Sequence, residues 1–154
     1  MSSSFQARDP EFEERVRASF AQQGLMSTFA ARLDRVDPGL VEIVVPFADG
    51  LTQQDGFLHA GVVIAAMDSA CGYAALSLME PDSRVLTVEL KVNLLSVASG
   101  ERLLARGQVI RPGRTLTVCS GDAYALRGEE DRHVATILTT MFVAGGRPAH
   151  SNVA

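Results

Sequence analysis

The chain has 154 residues, 47% of them hydrophobic, and a formal charge of −4 at neutral pH. That length suits one domain with a real core. The mild acidity, with no Trp and only two Tyr, excludes a basic surface able to track a phosphate backbone, so no nucleic-acid partner is expected.

The opening MSSSFQARDP has neither a basic start nor an apolar secretion core, which predicts a cytoplasmic protein. Residues 10–24, PEFEERVRASFAQQG, read as a short amphipathic helix. Pro10 suits a first helical position, Phe12, Val16 and Phe20 fall four apart, and Gly24 can stop it. Extended stretches are predicted at Met26–Val36 and Leu40–Phe47, around an Asp37-Pro38-Gly39 turn. A long helix follows, from His59 or Ala60 to Met79, and Glu80-Pro81-Asp82 breaks it.

Between Val62 and Ala75 of that helix only Asp68 and Ser69 are plainly polar. A helix apolar on nearly all sides must be buried on most of them. A carboxylate there is costly unless it is paired, neutralised or put to use. The same acid, and the Ala and Gly around it, argue against a membrane span.

Four strands are predicted next, at Val85–Val97, Arg102–Ile110, Leu116–Leu126 and Val134–Val143. Their connections are short, through Ser99-Gly100-Glu101, Arg111-Pro112-Gly113-Arg114 and Arg127–Asp131. Short connections predict hairpins or a meander of successive neighbours. The tail GGRPAHSNVA has nothing to bury and is expected to be mobile. Cys71 and Cys119 lack metal-ligand spacing and read as free, half-buried thiols, so no metal site is expected. Together these elements predict an α+β fold in which one antiparallel sheet curls around the long helix. The expected division is an N-terminal helical segment at 1–24, one domain at 25–145 and a tail at 146–154.

The residues suggest a chemistry. A carboxylate at Asp68 can serve as general base on water or attack an acyl carbon itself, and partial burial should raise its pKa. The first backbone N–H groups of the helix, around Ala60 and Gly61, lack internal partners and can stabilise an oxyanion. Arg111 and Arg114 flank Pro112-Gly113, and guanidinium groups suit phosphates. Val63, Met67, Cys71 or Tyr73 can shape an apolar pocket beside the helix.

The spacing Gln53-x-x-Gly56-x-x-His59-Ala60-Gly61, with Asp68 nine residues after the histidine, resembles the hotdog-fold acyl-CoA thioesterases, in particular their PaaI-like branch. The likeness runs on into VLTVELKVNLLSVASGE and the GRT of the next hairpin, and covers about residues 25–145. Two positions depart from the family pattern: Ala60 replaces the first glycine of the usual His-Gly-Gly, and Val97 stands where proline is common.

The resemblance implies hydrolysis of an aryl- or fatty-acyl-CoA to free acid and coenzyme A, with no cofactor besides the substrate's own coenzyme A. It implies that the Ala60 N–H is the main oxyanion donor, and that Gln53 positions water or thioester, with Gln54 as its one-residue competitor. Thr87 would hold water near the acid. His59 would hydrogen-bond the loop at the helix start, on the substrate-binding side, and Asn93 would satisfy buried polar groups. Arg111, Gly113 and Arg114 would meet the coenzyme A phosphates. It also implies a homodimer, or a dimer of dimers, with a composite site. Gln53 and Ala60 of one subunit would face Asp68 and Thr87 of the other. Two alternatives remain: a non-catalytic acyl-CoA-binding protein, and a dehydratase or hydratase. The latter lacks a second core histidine, because His133 is expected at a loop edge and His150 in the tail.

Overall fold

The structure, a computed structural model, describes residues 5–145; the expected mobile tail at 146–154, His150 included, lies outside the described residues. In chain order the elements are α1 (Phe12–Ala21), α2 (Gly24–Thr28), β1 (Arg32–Asp37), β2 (Leu40–Pro46), α3 (Ala60–Leu76), β3 (Ser83–Leu94), β4 (Arg102–Arg111), β5 (Leu116–Arg127) and β6 (Glu130–Gly145).

Helix α1 is tied to the far end of α3 by one side chain. Arg15 pairs with Asp9 at 3.1 Å and donates to the carbonyls of Leu76, Met79 and Glu80 at 3.1, 2.8 and 2.6 Å. These lie at or just beyond the end of α3, where Leu76 and Glu80 also accept the Met79 and Ser83 N–H groups. The expected extended stretch from Met26 is corrected here. Residues Gly24–Thr28 form α2, Met26 is fully buried, and strand β1 starts only at Arg32. Five residues are too few to show a helical period, and burial of Met26 and Phe29 with Val16 in the core decides their conformation.

All six strands are antiparallel neighbours in the order β1-β2-β4-β5-β6-β3. The expected meander therefore holds for β4, β5 and β6 but fails for β3, which pairs with β6 at the opposite edge. What looked like a hairpin at Ser99-Gly100-Glu101 is the end of a crossover that spans the strand ends. Leu95 and Ser96 N–H donate to the Val134 carbonyl, the Leu58 N–H to Ala98, the Phe47 N–H to Glu101, and the Glu101 N–H to Leu126. Each backbone group along the way finds a partner on a different element, which lets an irregular segment run there without orphaned polar groups.

The sheet curls around α3, as the α+β reading expected. Helix α3 buries Val63, Ala66, Met67, Ala70, Cys71 and Ala74 almost completely, and it ends three residues before the expected Met79. Cys71 and Cys119 are free, and both are fully buried rather than half-buried. The closest approach is at Gly107 of β4. A Cβ added there would sit 2.4 Å from both the Ala70 carbonyl carbon and the Cys71 nitrogen. Helix backbone thus rests directly on strand backbone, and only glycine permits it. Gly107→Ala is expected to destabilise the fold by about 1–3 kcal/mol or more, read as a lower urea midpoint. An unchanged midpoint would mean that the contact can relax freely.

Candidate active site

Asp68 lies nine residues beyond His59, the N-cap of α3. Apart from Ser69 its neighbours on the helix are apolar, yet its carboxylate is only partly covered because it faces a gap between α3 and β3. One oxygen accepts a 2.8 Å hydrogen bond from the Thr87 hydroxyl. Burial pushes the Asp68 pKa above its usual value, and the Thr87 bond draws it partly back.

A bulge in β3 aims Thr87 inward. Thr87 pairs with Met141 and Glu89 with Thr140, so Val88 is an extra residue in the ladder. The insertion reverses the face that later residues present. Thr87 shares the inner face with fully buried Met141, and its hydroxyl lies 3.4 Å from that Sδ. Beyond the bulge, Asn93 falls on the outer face opposite Thr136 and is exposed, where its Oδ1 accepts from Lys91 Nζ. That corrects the expectation that Asn93 satisfies buried groups.

At the start of α3, His59 Nδ1 accepts the Gly61 N–H at 2.8 Å. The lone pair that a general base would need is occupied by this cap, and Gly61 has no N–H left for an oxyanion. The Ala60 N–H has no partner among the described residues and borders a cavity of about 390 Å³. Gln53 lines the same cavity. A tight turn holds it there, with the Gln53 N–H donating to Phe57 O and its own carbonyl accepting from Gly56, while its Oε1 accepts the Asp55 N–H. Gln54 is exposed and borders no part of this cavity. Of the two amides, Gln53 is the one beside the helix start.

The expected residues therefore fall into separate groups within one chain. Asp68 and Thr87 share a cavity of about 340 Å³. Gln53 and Ala60 share the one at the helix start, together with Val63 and the Leu94–Ala98 stretch. Gly113 and Arg114 border a third, of about 430 Å³, near the other end of α3 with Leu78 and Met79, and Arg111 is exposed beside it. Among the suggested acyl-pocket residues, Met67 and Cys71 are core, while Tyr73 lines the Asp68 cavity. His133 is not at a loop edge: it lies on β6, stacks on Tyr124 and contacts Asp122 at 2.8 Å. Ser19, Gln23 and Arg84, which no sequence signal marked, complete the Asp68 cavity. Ser19 and Gln23 reach it through the packing of α1, which carries no motif of its own, and Arg84 comes from β3.

A family model described as the thioesterase superfamily matches residues 55–131, half of the chain. The chain belongs to that superfamily. A crystal structure of a thioesterase family protein from Silicibacter pomeroyi is 52% identical, with TM-score 0.86, over 88% of this chain and 99% of that one. The Escherichia coli PaaI protein of the phenylacetic acid degradation operon shares the fold, with TM-score 0.80 at 15% identity, over 88% of this chain and 95% of its own. A 1,4-dihydroxy-2-naphthoyl-CoA hydrolase from Listeria monocytogenes is 25% identical over 62% of this chain and 77% of its own length. The chain spans 59% of the first curated relative that it matches.

Among the described residues no helix is long and apolar enough to cross a membrane, and no group of three His, Cys, Asp or Glu side chains could hold a metal. The Asp68–Thr87 pair carries a pH signature. Removing the hydroxyl with Thr87→Val should raise the Asp68 pKa further, because the bond favours the charged form. A pH–rate profile of kcat/KM should then show its acid limb displaced to higher pH; an unmoved limb would separate Thr87 from the titrating group.

Proposed function

We propose that this protein hydrolyses acyl-CoA thioesters, aryl or fatty, with Asp68 as general base or nucleophile. The observation that carries the reading is a carboxylate inside an apolar helix, open on one side to a cavity and oriented by a single hydroxyl, in a member of the thioesterase superfamily. Burial with a raised pKa makes it a stronger base than an ordinary surface carboxylate. The matched Listeria protein is named a CoA hydrolase, which supports coenzyme A as the carrier.

The oxyanion of the tetrahedral intermediate would form against the free Ala60 N–H, where the helix dipole adds positive potential. Gln53 would orient the thioester or the water. These two lie in a different cavity from Asp68, and β3 offers a way to join them. It is an edge strand on which Leu86, Val88, Leu90 and Leu94 are all exposed, an arrangement that invites pairing with another strand. Antiparallel pairing of two β3 strands would bring the Leu94 end of one copy beside the Arg84 end of its partner. Leu94 borders the Gln53 cavity and Arg84 the Asp68 cavity, so a homodimer of this kind would merge the two. The exposed Arg111 and Arg114, with Gly113, would receive coenzyme A phosphates.

Free-thiol release from a panel of acyl-CoA esters tests the reading. Asp68→Ala and Asp68→Asn should each lower kcat by about a hundredfold or more. Asp68→Asn should at the same time be as stable as the parent or more so. The folded-state pKa is raised, so the ionised form of Asp68 destabilises the fold, and that penalty fades as pH falls through the raised pKa toward the ordinary carboxylate value. Turnover that survives both substitutions would remove Asp68 from the reaction.

A further inference from the structure

We infer that two copies of the chain pair through β3 in one register, centred on Leu90, in which Glu89 of each copy faces Lys91 of the other. The inference rests on the homodimer of the proposed function and specifies the contacts that join its two cavities.

Every second residue of β5 is buried, whereas none of the twelve residues of β3 is. Pairing with β6 sorts the β3 residues by face. Val85 and Thr87 before the bulge, and Leu90, Val92 and Leu94 after it, lie opposite inward-facing residues of β6, among them fully buried Met141, Thr139 and Ala135. Glu89, Lys91 and Asn93 lie on the outer face, opposite Thr140, Leu138 and Thr136.

Lys91 is the only lysine in the sequence, and it stands in the exposed edge strand. Among the described residues neither it nor Glu89 pairs with an opposite charge. Glu89 accepts from the Thr140 hydroxyl at 3.3 Å, and Lys91 Nζ donates to Asn93 Oδ1. A lone edge lysine can serve to block strand addition. Here an acid sits two residues away on the same face, and a second strand running the opposite way presents that pair in reverse order.

Cross-strand neighbours share a face, so a two-fold pairing places its axis on a residue rather than between two. An axis at Glu89 sets Glu89 against its own copy, and an axis at Lys91 does the same with Lys91. Like charges directly opposite destabilise a strand pair. An axis at Val92 sets Lys91 against Asn93 and leaves both charges uncompensated. Only the axis at Leu90 sets Glu89 against Lys91, twice, and it also brings the two exposed Leu90 side chains together on the inner face.

The cavities select the same register independently. Across the bulge it places Thr87 of one copy opposite Val92 of the other, and Val85 opposite Leu94, all on the inner face. Val85 and Thr87 line the Asp68 cavity, and Leu94 lines the Gln53 cavity. The wall of one cavity thereby becomes the cross-strand neighbour of the wall of the other.

Charge exchange tests the register. Glu89→Lys and Lys91→Glu chains, one of them labelled with heavy nitrogen, are unfolded and refolded together, and dimer masses are read by native mass spectrometry. Each homodimer sets like charges opposite at both pairs, whereas the mixed dimer has opposite charges at both. Mixed dimers should make up about four-fifths or more of the total, against about half for labelled and unlabelled parent. The double variant Glu89→Lys/Lys91→Glu, which exchanges the two charges, should dimerise like the parent. Random mixing of the single variants, an absence of mixed dimers, or a monomeric parent would overturn the inference. The readout involves no substrate, so a dimer with this charge preference that hydrolyses no acyl-CoA would keep the register and contradict the thioesterase reading instead.

Discussion

Helix α3 can lie inside the sheet only where strand backbone meets helix backbone directly, and the Gly107 contact with Ala70 and Cys71 is where this happens. A sheet that wraps a helix so closely buries ten of the seventeen α3 residues. The cost of any polar group there is then high, and Asp68 carries it. It sits just two residues before Ala70, on the part of the helix that Gly107 holds in place, and it escapes full burial through the gap toward β3. Close packing on one side and an opening on the other set its raised pKa and its access to the cavity together.

The bulge at Val88 links this packing to the edge of the sheet. It turns Thr87 toward Asp68 while leaving Val88 and Leu90 exposed on an unpaired strand. The same few residues therefore orient the carboxylate and present the surface through which a second copy would complete the proposed site. The cap at His59 has a comparable double effect. It satisfies Gly61 and thereby leaves the Ala60 N–H as the free donor at the helix start.

Much of this was legible in the chain because it rests on local rules. The apolar run with a single acid identified the buried helix, and the Gln53–His59–Asp68 spacing identified its start and its family. Topology was less legible. The Leu95–Glu101 crossover reads as a hairpin because its short Ser-Gly-Glu break looks like any turn, and only long-range pairing with Val134, Leu58, Phe47 and Leu126 fixes its course. Helix α2 was too short for a period to appear. The Val88 bulge changes which face later residues occupy, and no residue type announces it, so Asn93 was misassigned to the interior. Gln23 escaped notice for a similar reason, since its place beside the Asp68 cavity comes from the docking of α1.

The central claim is that one carboxylate reacts at a site completed by a second subunit, and complementation between two inactive variants tests it most directly. Asp68→Asn and Gln53→Ala chains would be unfolded and refolded together, then assayed for acyl-CoA hydrolysis. A composite site predicts recovery, because a mixed dimer contains one site with both native residues; random mixing gives about a quarter of the parent activity. A mixture as inactive as either variant alone would contradict the account and return the whole site to a single chain.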